Sequence, residues 1–202
     1  MKRFSKFLRL FTLVGMIVLL LTACGNSRPL SSSKSNASSQ TKVTKGNNKT
    51  LILYFSVTGT TKKAAEYIQK QTGATMIRLN PQKPYKSYED AGRRGDRERK
   101  NNIHPALATK IPNLKKYKTV LIGYPTWWQR PPMLIHTLFD KYNFAGKTII
   151  PFTTSTSTPI GSSEKVIKQL AKKDKAKFRN GIRYDNNNSE VRSWLKKNKL
   201  LK

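Results

Sequence analysis

Ser56-Val57-Thr58-Gly59-Thr60-Thr61 sets four hydroxyl side chains around a single glycine. An apolar run, Leu51–Phe55, precedes this turn, and an amphipathic pattern, Thr61–Gln71, follows it. The turn therefore joins a strand to the start of a helix. A helix N-terminus carries unpaired N–H groups and the positive end of the helix dipole, so it attracts a phosphate. Gly59 allows close backbone approach, and the hydroxyls of Ser56, Thr58, Thr60 and Thr61 supply further donors. Neither GxxxxGK[ST] nor GxGxxG is present in the turn. Neutral donors without a lysine suit a phosphate monoester better than a nucleoside triphosphate. An ordinary capped turn has the same composition, and this segment alone does not separate the two readings.

Two further segments supply side chains of complementary chemistry. Pro125-Thr126-Trp127-Trp128-Gln129-Arg130-Pro131-Pro132 follows the apolar run Thr119–Tyr124. Its adjacent indoles offer flat apolar faces to a planar ligand, although one of them could instead pack beneath the next helix. Thr153-Thr154-Ser155-Thr156-Ser157-Thr158-Pro159 follows the run Lys147–Phe152. This loop of hydroxyls could bind a polar ligand edge or remain solvated.

The elements that must position these loops alternate along the chain. Strands are expected at Leu51–Phe55, Thr75–Leu79, Thr119–Tyr124, Lys147–Phe152 with Pro151 near its end, and Ala176–Tyr184. Helices are expected at Thr61–Gln71, closed by Gly73, around Tyr88–Lys100, and at Met133–Tyr142 with Leu134, Leu138 and Phe139 on one face. Two more run to about Lys172, capped by Ser162 and Ser163, and over Glu190–Asn198, capped by Ser189. Near-continuous apolar strands alternating with amphipathic helices predict an α/β sandwich around a parallel sheet. Such sheets bind ligands beyond the carboxyl ends of their strands, where all three loops fall.

The segments YFSVTGTTKKAAEYI, GYPTWW, RPPM and FAGKTIIPFTT, with GSS before a helix, resemble the flavodoxin-like family of small FMN proteins. The resemblance covers about Leu51 to Lys172 in the family's order. It implies a five-stranded parallel sheet of order 2-1-3-4-5 with FMN at its carboxyl edge. It also implies that Ser56, Thr58, Gly59, Thr60 and Thr61 bind the phosphate, and that Pro125, Thr126, Trp127 and Trp128 pack along the isoalloxazine ring. Thr153, Thr154 and Ser155 fall on the third flavin loop. The family often has Asn where Thr60 stands, and usually glycine where Gln129 stands. Thr156-Ser157-Thr158-Pro159 replaces a glycine-rich stretch. These departures leave open an alternative, a surface interaction module that keeps the fold without tight flavin binding. No Cys, Glu or His stands on the three loops as an acid, base or nucleophile, so electron transfer or quinone-type reduction fits better than group transfer. His104 and His136 are read as structural or exposed, and no metal-ligand spacing is present.

The ends and the charge bear on location. Lys2, Arg3, Lys6 and Arg9 precede an apolar core, Leu10 to Leu21, of about a dozen residues, shorter than the roughly 20 of a spanning helix. Leu21-Thr22-Ala23-Cys24-Gly25 resembles the bacterial lipobox, so residues 1–23 are read as a lipoprotein signal peptide and Cys24 as the lipidated N-terminus. Cys24 is the only cysteine, which excludes an intrachain disulfide. Residues 24–49 are polar and read as a tether, whose roughly 25 residues would span about 25–30 Å as a flexible coil. Residues 50–202 form one domain.

The chain holds 40 Lys+Arg against 10 Asp+Glu. Four of the basic residues lie in the leader, which leaves a mature net charge of +26. For an exported lipoprotein, anionic lipids or wall polymers are the expected partners, and nucleic acid is not. Arg93–Lys100 is the densest basic run and is read as a solvated face. Cys24→Ala should move the mature protein from the membrane to the soluble fraction. Retention on membranes after a high-salt wash would mean that something other than lipidation holds it.

Overall fold

A computed structural model describes residues 49–202. The leader, Cys24 and the tether up to residue 48 lie outside the described residues. Five strand positions form one parallel sheet in the order β2-β1-β3-β4-β5. In chain order the strands are β1 Thr50–Tyr54, β2 Thr75–Arg78, β3 Thr119–Pro125, β4 Thr148–Thr154 and β5 Lys177–Phe178. A short β6, Ile182–Tyr184, pairs with β4 beyond the point where β5 stops. The helices are α1 Thr60–Thr72, α2 Tyr88–Lys100, α3 Met133–Lys141, α4 Gly161–Lys173 and α5 Asn188–Lys197.

Strand alternation divides the core into two layers. Leu51, Leu53, Phe55, Val120 and Ile122 join Leu134 and Leu138 of α3 on one side of the sheet. Ile52, Tyr54, Leu121, Ile150 and Phe152 meet Ala64, Ala65 and Ile68 of α1, with Val191 and Leu195 of α5, on the other. Each fully buried aliphatic or phenyl side chain stabilises the fold by about 1.5–3 kcal/mol. β1 has apolar side chains on both faces because helices cover both.

Four local readings need correction. Pro151 lies inside β4, not at its end. Its missing N–H faces the outer edge between the last β5 pair, Ile149 with Phe178, and the first β6 pair, Phe152 with Ile182. No ladder bond is lost there, which is how a proline survives inside the strand. For the same reason the expected last strand, Ala176–Tyr184, is broken over residues 179–181. Ser162 and Ser163 lie inside the first turn of α4, where Ser163 Oγ donates to Ile160 O at 3.0 Å. Asn187, not Ser189, caps α5, its side chain accepting from Glu190 N at 3.1 Å. Gly73 closes α1 as expected, in the left-handed conformation at φ 65°.

The two histidines, distant in sequence, meet in space. Their rings lie 5.2 Å apart, and His104 Nδ1 is 2.5 Å from Asp140 Oδ2. Burial first, then repulsion from His104, lowers the His136 pKa to about 4, with Arg130 adding to this and Asp140 opposing it. The free imidazole titrates near pH 6.5, so the unfolded chain takes up this proton first as pH falls. The contribution is therefore complete above about pH 6.5 and is lost progressively toward pH 4. Urea unfolding of the wild type should weaken more steeply across that window than unfolding of His136→Asn. Parallel pH profiles would show that His136 is not responsible.

Candidate functional site

The first loop turns on two features of the backbone. Gly59 caps α1 at φ 91°, a left-handed conformation that other L-residues adopt only at a cost. A Cβ at this position would meet no protein atom within 4 Å, so within the protein itself it is the left-handed turn that calls for glycine, beside the close approach to a ligand expected from the sequence. Ser56 Oγ accepts from Gly59 N at 3.1 Å, and the first helical bond runs from Lys63 N to Gly59 O. The first-turn N–H groups of Thr60, Thr61 and Lys62 lie ahead of the helix's own acceptors. Thr58 and Thr60 hydroxyls lie 3.2 Å apart at the exposed rim. From behind, Arg78 Nη2 donates to Ser56 O at 2.9 Å, adding positive potential without entering the loop.

The tryptophan loop is a two-residue hairpin. Trp127 and Arg130 exchange both backbone hydrogen bonds at 2.9 Å, and Trp128 and Gln129 between them have φ of 46° and 60°. Both central residues are thus left-handed, the type I′ arrangement that normally selects Asn and Gly. The two indoles part company here. Trp127 turns inward, edge-on to Phe55 and Tyr85 at centroid separations of 5.6 and 5.4 Å. Trp128 remains 46% exposed.

Helix α2 fixes the inner indole. A Cβ on Gly95 would stand 2.9 Å from Trp127 Cε3, so the bare helix face at Gly95 admits the ring. Tyr85 is held in turn by Glu98, only 3% exposed, which accepts from Tyr85 Oη and Arg94 Nε at 2.7 Å each. Arg94 also lies 4.2 Å over the Tyr85 ring. Burial, and then donation to Glu98, raises the Tyr85 phenol well above its ordinary range. The basic run Arg93–Lys100 is therefore not simply a solvated face. Arg94 and Glu98 form a largely buried support for the tryptophan loop, and Asp96 pairs with Arg99 and Lys100.

The third loop closes the site. Thr61 Oγ1 lies 2.7 Å from Thr154 Oγ1, and Thr126 Oγ1 lies 2.6 Å from Thr153 Oγ1. Ser155 Oγ donates to Thr158 O at 2.5 Å. The three loops surround one cavity of about 410 Å³, within the usual 300–1,000 Å³ of small-molecule sites. Of the expected residues, Ser56, Thr58, Thr60, Thr61, Pro125, Thr126, Trp127, Thr154 and Ser155 line it. Gly59 shapes the turn, Thr153 is buried behind Thr126, and Trp128 stands outside the lining. Thr156, Ser157 and Thr158, the residues in place of glycines, also line it.

Sequence reading missed Val57 and Tyr88 in the lining, together with the support from Tyr85, Gly95 and Glu98. Tyr88 sits at the start of α2 and is 70% exposed. Its only sequence signal was a large aromatic directly after a helix cap. The lining residues carry hydroxyls, one indole and one phenol, but no carboxylate, imidazole or thiol. The His104–His136 pair lies outside it, and no group of three or more metal-binding side chains occurs among the described residues. A cavity with these donors at a helix N-terminus and an indole wall can hold a phosphorylated, partly planar ligand.

The family model described as Flavodoxin matches residues 49–198. Among solved structures, a protein assigned as a flavoprotein from Bacteroides eggerthii is 33% identical, with a TM-score of 0.68. The match covers 74% of this chain and 97% of that one. A second such protein, from Bacteroides uniformis, is 34% identical over 74% of this chain and 98% of its own, with a TM-score of 0.67. A flavoprotein from Lactobacillus acidophilus, solved in complex with FMN, is 26% identical over 73% of this chain and 98% of its own, with a TM-score of 0.62. No curated protein matches the chain.

The left-handed Gln129 makes a measurable claim. Glycine there should relieve about 1–2 kcal/mol of steric cost while adding about 0.5–1 kcal/mol of unfolded-chain entropy. Gln129→Gly is thus expected to stabilise the fold by about 0.5–1 kcal/mol in urea unfolding. An unchanged or lower midpoint would show that the turn carries no such strain.

Proposed function

The chain belongs to the flavodoxin family, and we propose that it binds FMN and transfers electrons outside the cytoplasmic membrane, anchored through a lipidated Cys24. The convergence of three loops on one hydroxyl-lined cavity at the N-terminus of α1 carries this reading. The Lactobacillus acidophilus relative, solved with FMN, supports the choice of cofactor. The lipobox-like Leu21-Thr22-Ala23-Cys24 and the polar tether support the location.

The residues present fit the group. The N–H groups of Thr60, Thr61 and Lys62, with the hydroxyls of Ser56, Thr58 and Thr60, would take the phosphate. Ser56 Oγ already accepts from Gly59 N, which leaves its own proton to donate outward. Charge-assisted hydrogen bonds of this kind are about twice as strong as neutral ones, so this loop should dominate affinity. Thr126, Ser155, Thr156 and Thr158 would hold the polar chain and ring edge. Trp127 supplies the apolar wall, held by Phe55 and Tyr85, and Tyr88 stands at the mouth. Bound FMN supplies reversible electron transfer. With no carboxylate, imidazole or thiol in the lining, the protein's part is to bind and orient the cofactor, not to shuttle protons through such groups.

A flavin titration followed by fluorescence tests the reading. FMN should bind saturably, and riboflavin, lacking the phosphate, at least tenfold more weakly, as expected from a loss of about 1.5–3 kcal/mol. Gly59→Ala should weaken FMN through the left-handed turn, and Gly95→Ala by displacing the Trp127 ring. Absence of saturable FMN binding by folded wild type would overturn the cofactor assignment in favour of an interaction module.

A further inference from the structure

The amino-terminal edge of the sheet, opposite the cavity, is a lysine surface. Thr50, Thr119, Thr148 and Lys177 lie in one register row across β1, β3, β4 and β5. Lys49, Lys118 and Lys147 immediately precede the first three of these residues, so a line of lysines leads into the sheet. Lys147 is buried, its Nζ donating to Tyr117 O at 2.7 Å, whereas Lys118 and Lys177 are exposed.

Helices α1, α3, α4 and α5 return to this same edge. Gly146 N donates to Lys175 O, tying the end of α4 to the start of β4, and Lys202 N donates to Gln71 O at the end of α1. Their last turns carry Lys70, Lys141, Lys172, Lys173, Lys196 and Lys197. Glu89, Asp90, Glu164 and Glu190 stand instead in first turns, toward the cavity end. Helix dipoles favour this arrangement within each helix, but they do not call for lysines ahead of the strands. Lys118, Lys172, Lys177 and Lys197 are exposed and take part in no ion pair among the described residues. By contrast, α2 sets five basic residues against four acidic ones and pairs several of them.

Chain entry falls on this edge too. Lys49 is the residue through which everything before it, Cys24 included, joins β1. We infer that the lysine-rich amino-terminal edge of the sheet docks on an anionic bilayer surface and turns the cavity edge away from it. The orientation rests on the lipid-anchored reading above. The orientation follows from the one-sided charge of the domain and not from the segment that joins Cys24 to Lys49. β3 has seven residues and spans about 23 Å, so the cavity faces the aqueous phase well clear of the lipid. Electrons would then pass to or from a water-borne partner and not a bilayer-dissolved quinone.

The test uses the unlipidated chain from Gly25 onward. The Bacteroides relatives are matched over nearly their whole length by the domain alone, so this part stands as an independent fold. Sedimentation would be measured with vesicles of phosphatidylcholine alone and with about one-third phosphatidylglycerol. Binding should appear on the anionic vesicles and fade between about 0.1 M and 1 M salt, as the Debye length falls from about 10 to 3 Å. Lys118→Gln, Lys172→Gln, Lys177→Gln and Lys197→Gln combined should weaken binding by about tenfold or more. Lys83→Gln, Lys86→Gln, Arg93→Gln and Arg97→Gln remove the same charge around α2 and should weaken it much less. If the edge variant fails to fold, the set Lys70→Gln, Lys173→Gln and Lys196→Gln, exposed on the same last turns, replaces it.

Equal losses in the edge and α2 variants would overturn the proposal in favour of diffuse attraction. No anionic-vesicle binding, or binding to a polyglycerol-phosphate wall polymer alone, would overturn it as well. None of these outcomes bears on Cys24, whose part is read separately from membrane retention of the full chain.

Discussion

The in-register parallel ladder of β1, β3 and β4 is the constraint on which the rest of the molecule depends. Thr119 stands opposite Thr50 and Thr148, and the pairing continues through Tyr54 with Gly123 and Pro125 with Thr154. Three neighbouring strands therefore discharge their following loops at one edge. The ladder is stable because both faces are covered, by α1 and α5 on one side and by α3 and α4 on the other. The hydroxyl contacts Thr61 to Thr154 and Thr126 to Thr153 then stitch the loops together across strand boundaries. A slip of one residue would invert the facing of every side chain and dismantle both core layers and cavity.

The cavity wall depends on a second, polar support. Trp127 leans on Phe55 and Tyr85, Tyr85 donates to Glu98, and Glu98 is balanced by Arg94. Removing one partner from such a buried pair typically costs about 3–5 kcal/mol, because the other charge is left without compensation. The densest basic stretch thus contains an internal brace for an aromatic side chain. At the other end of the loop, two left-handed residues hold Trp128 half-exposed beside Gly95, strain of the sort that collects at binding sites.

Charge is distributed by the same topology. Antiparallel return of α1, α3, α4 and α5 brings their last turns to the amino edge of the sheet, and lysines there suit both the helix dipoles and a polyanionic neighbour. The cavity edge keeps neutral hydroxyl donors at its centre and acidic residues on the helix starts around it. One domain thereby has two chemically distinct ends, separated by the length of its strands.

The sequence by itself determined the alternation of elements, a parallel sheet, and the three loops that bear on the site, while the strand order came only with the resemblance to the flavodoxin-like family. Those signals are local: apolar runs, helix periodicity, and glycine or proline at the breaks. Nine of the twelve expected cofactor residues line the cavity because each lies within a few positions of a strand's carboxyl end. Only the tertiary structure decided which tryptophan faces inward, since Trp127 and Trp128 are identical side chains that differ in what α2 and Tyr85 offer them. It also decided that Gly95 must be bare, that His104 meets His136, and that Pro151 is tolerated inside β4 by a gap in the outer pairing. Each of these depends on residues far apart in the chain, whose proximity is set by packing and strand register, and no local pattern encodes it.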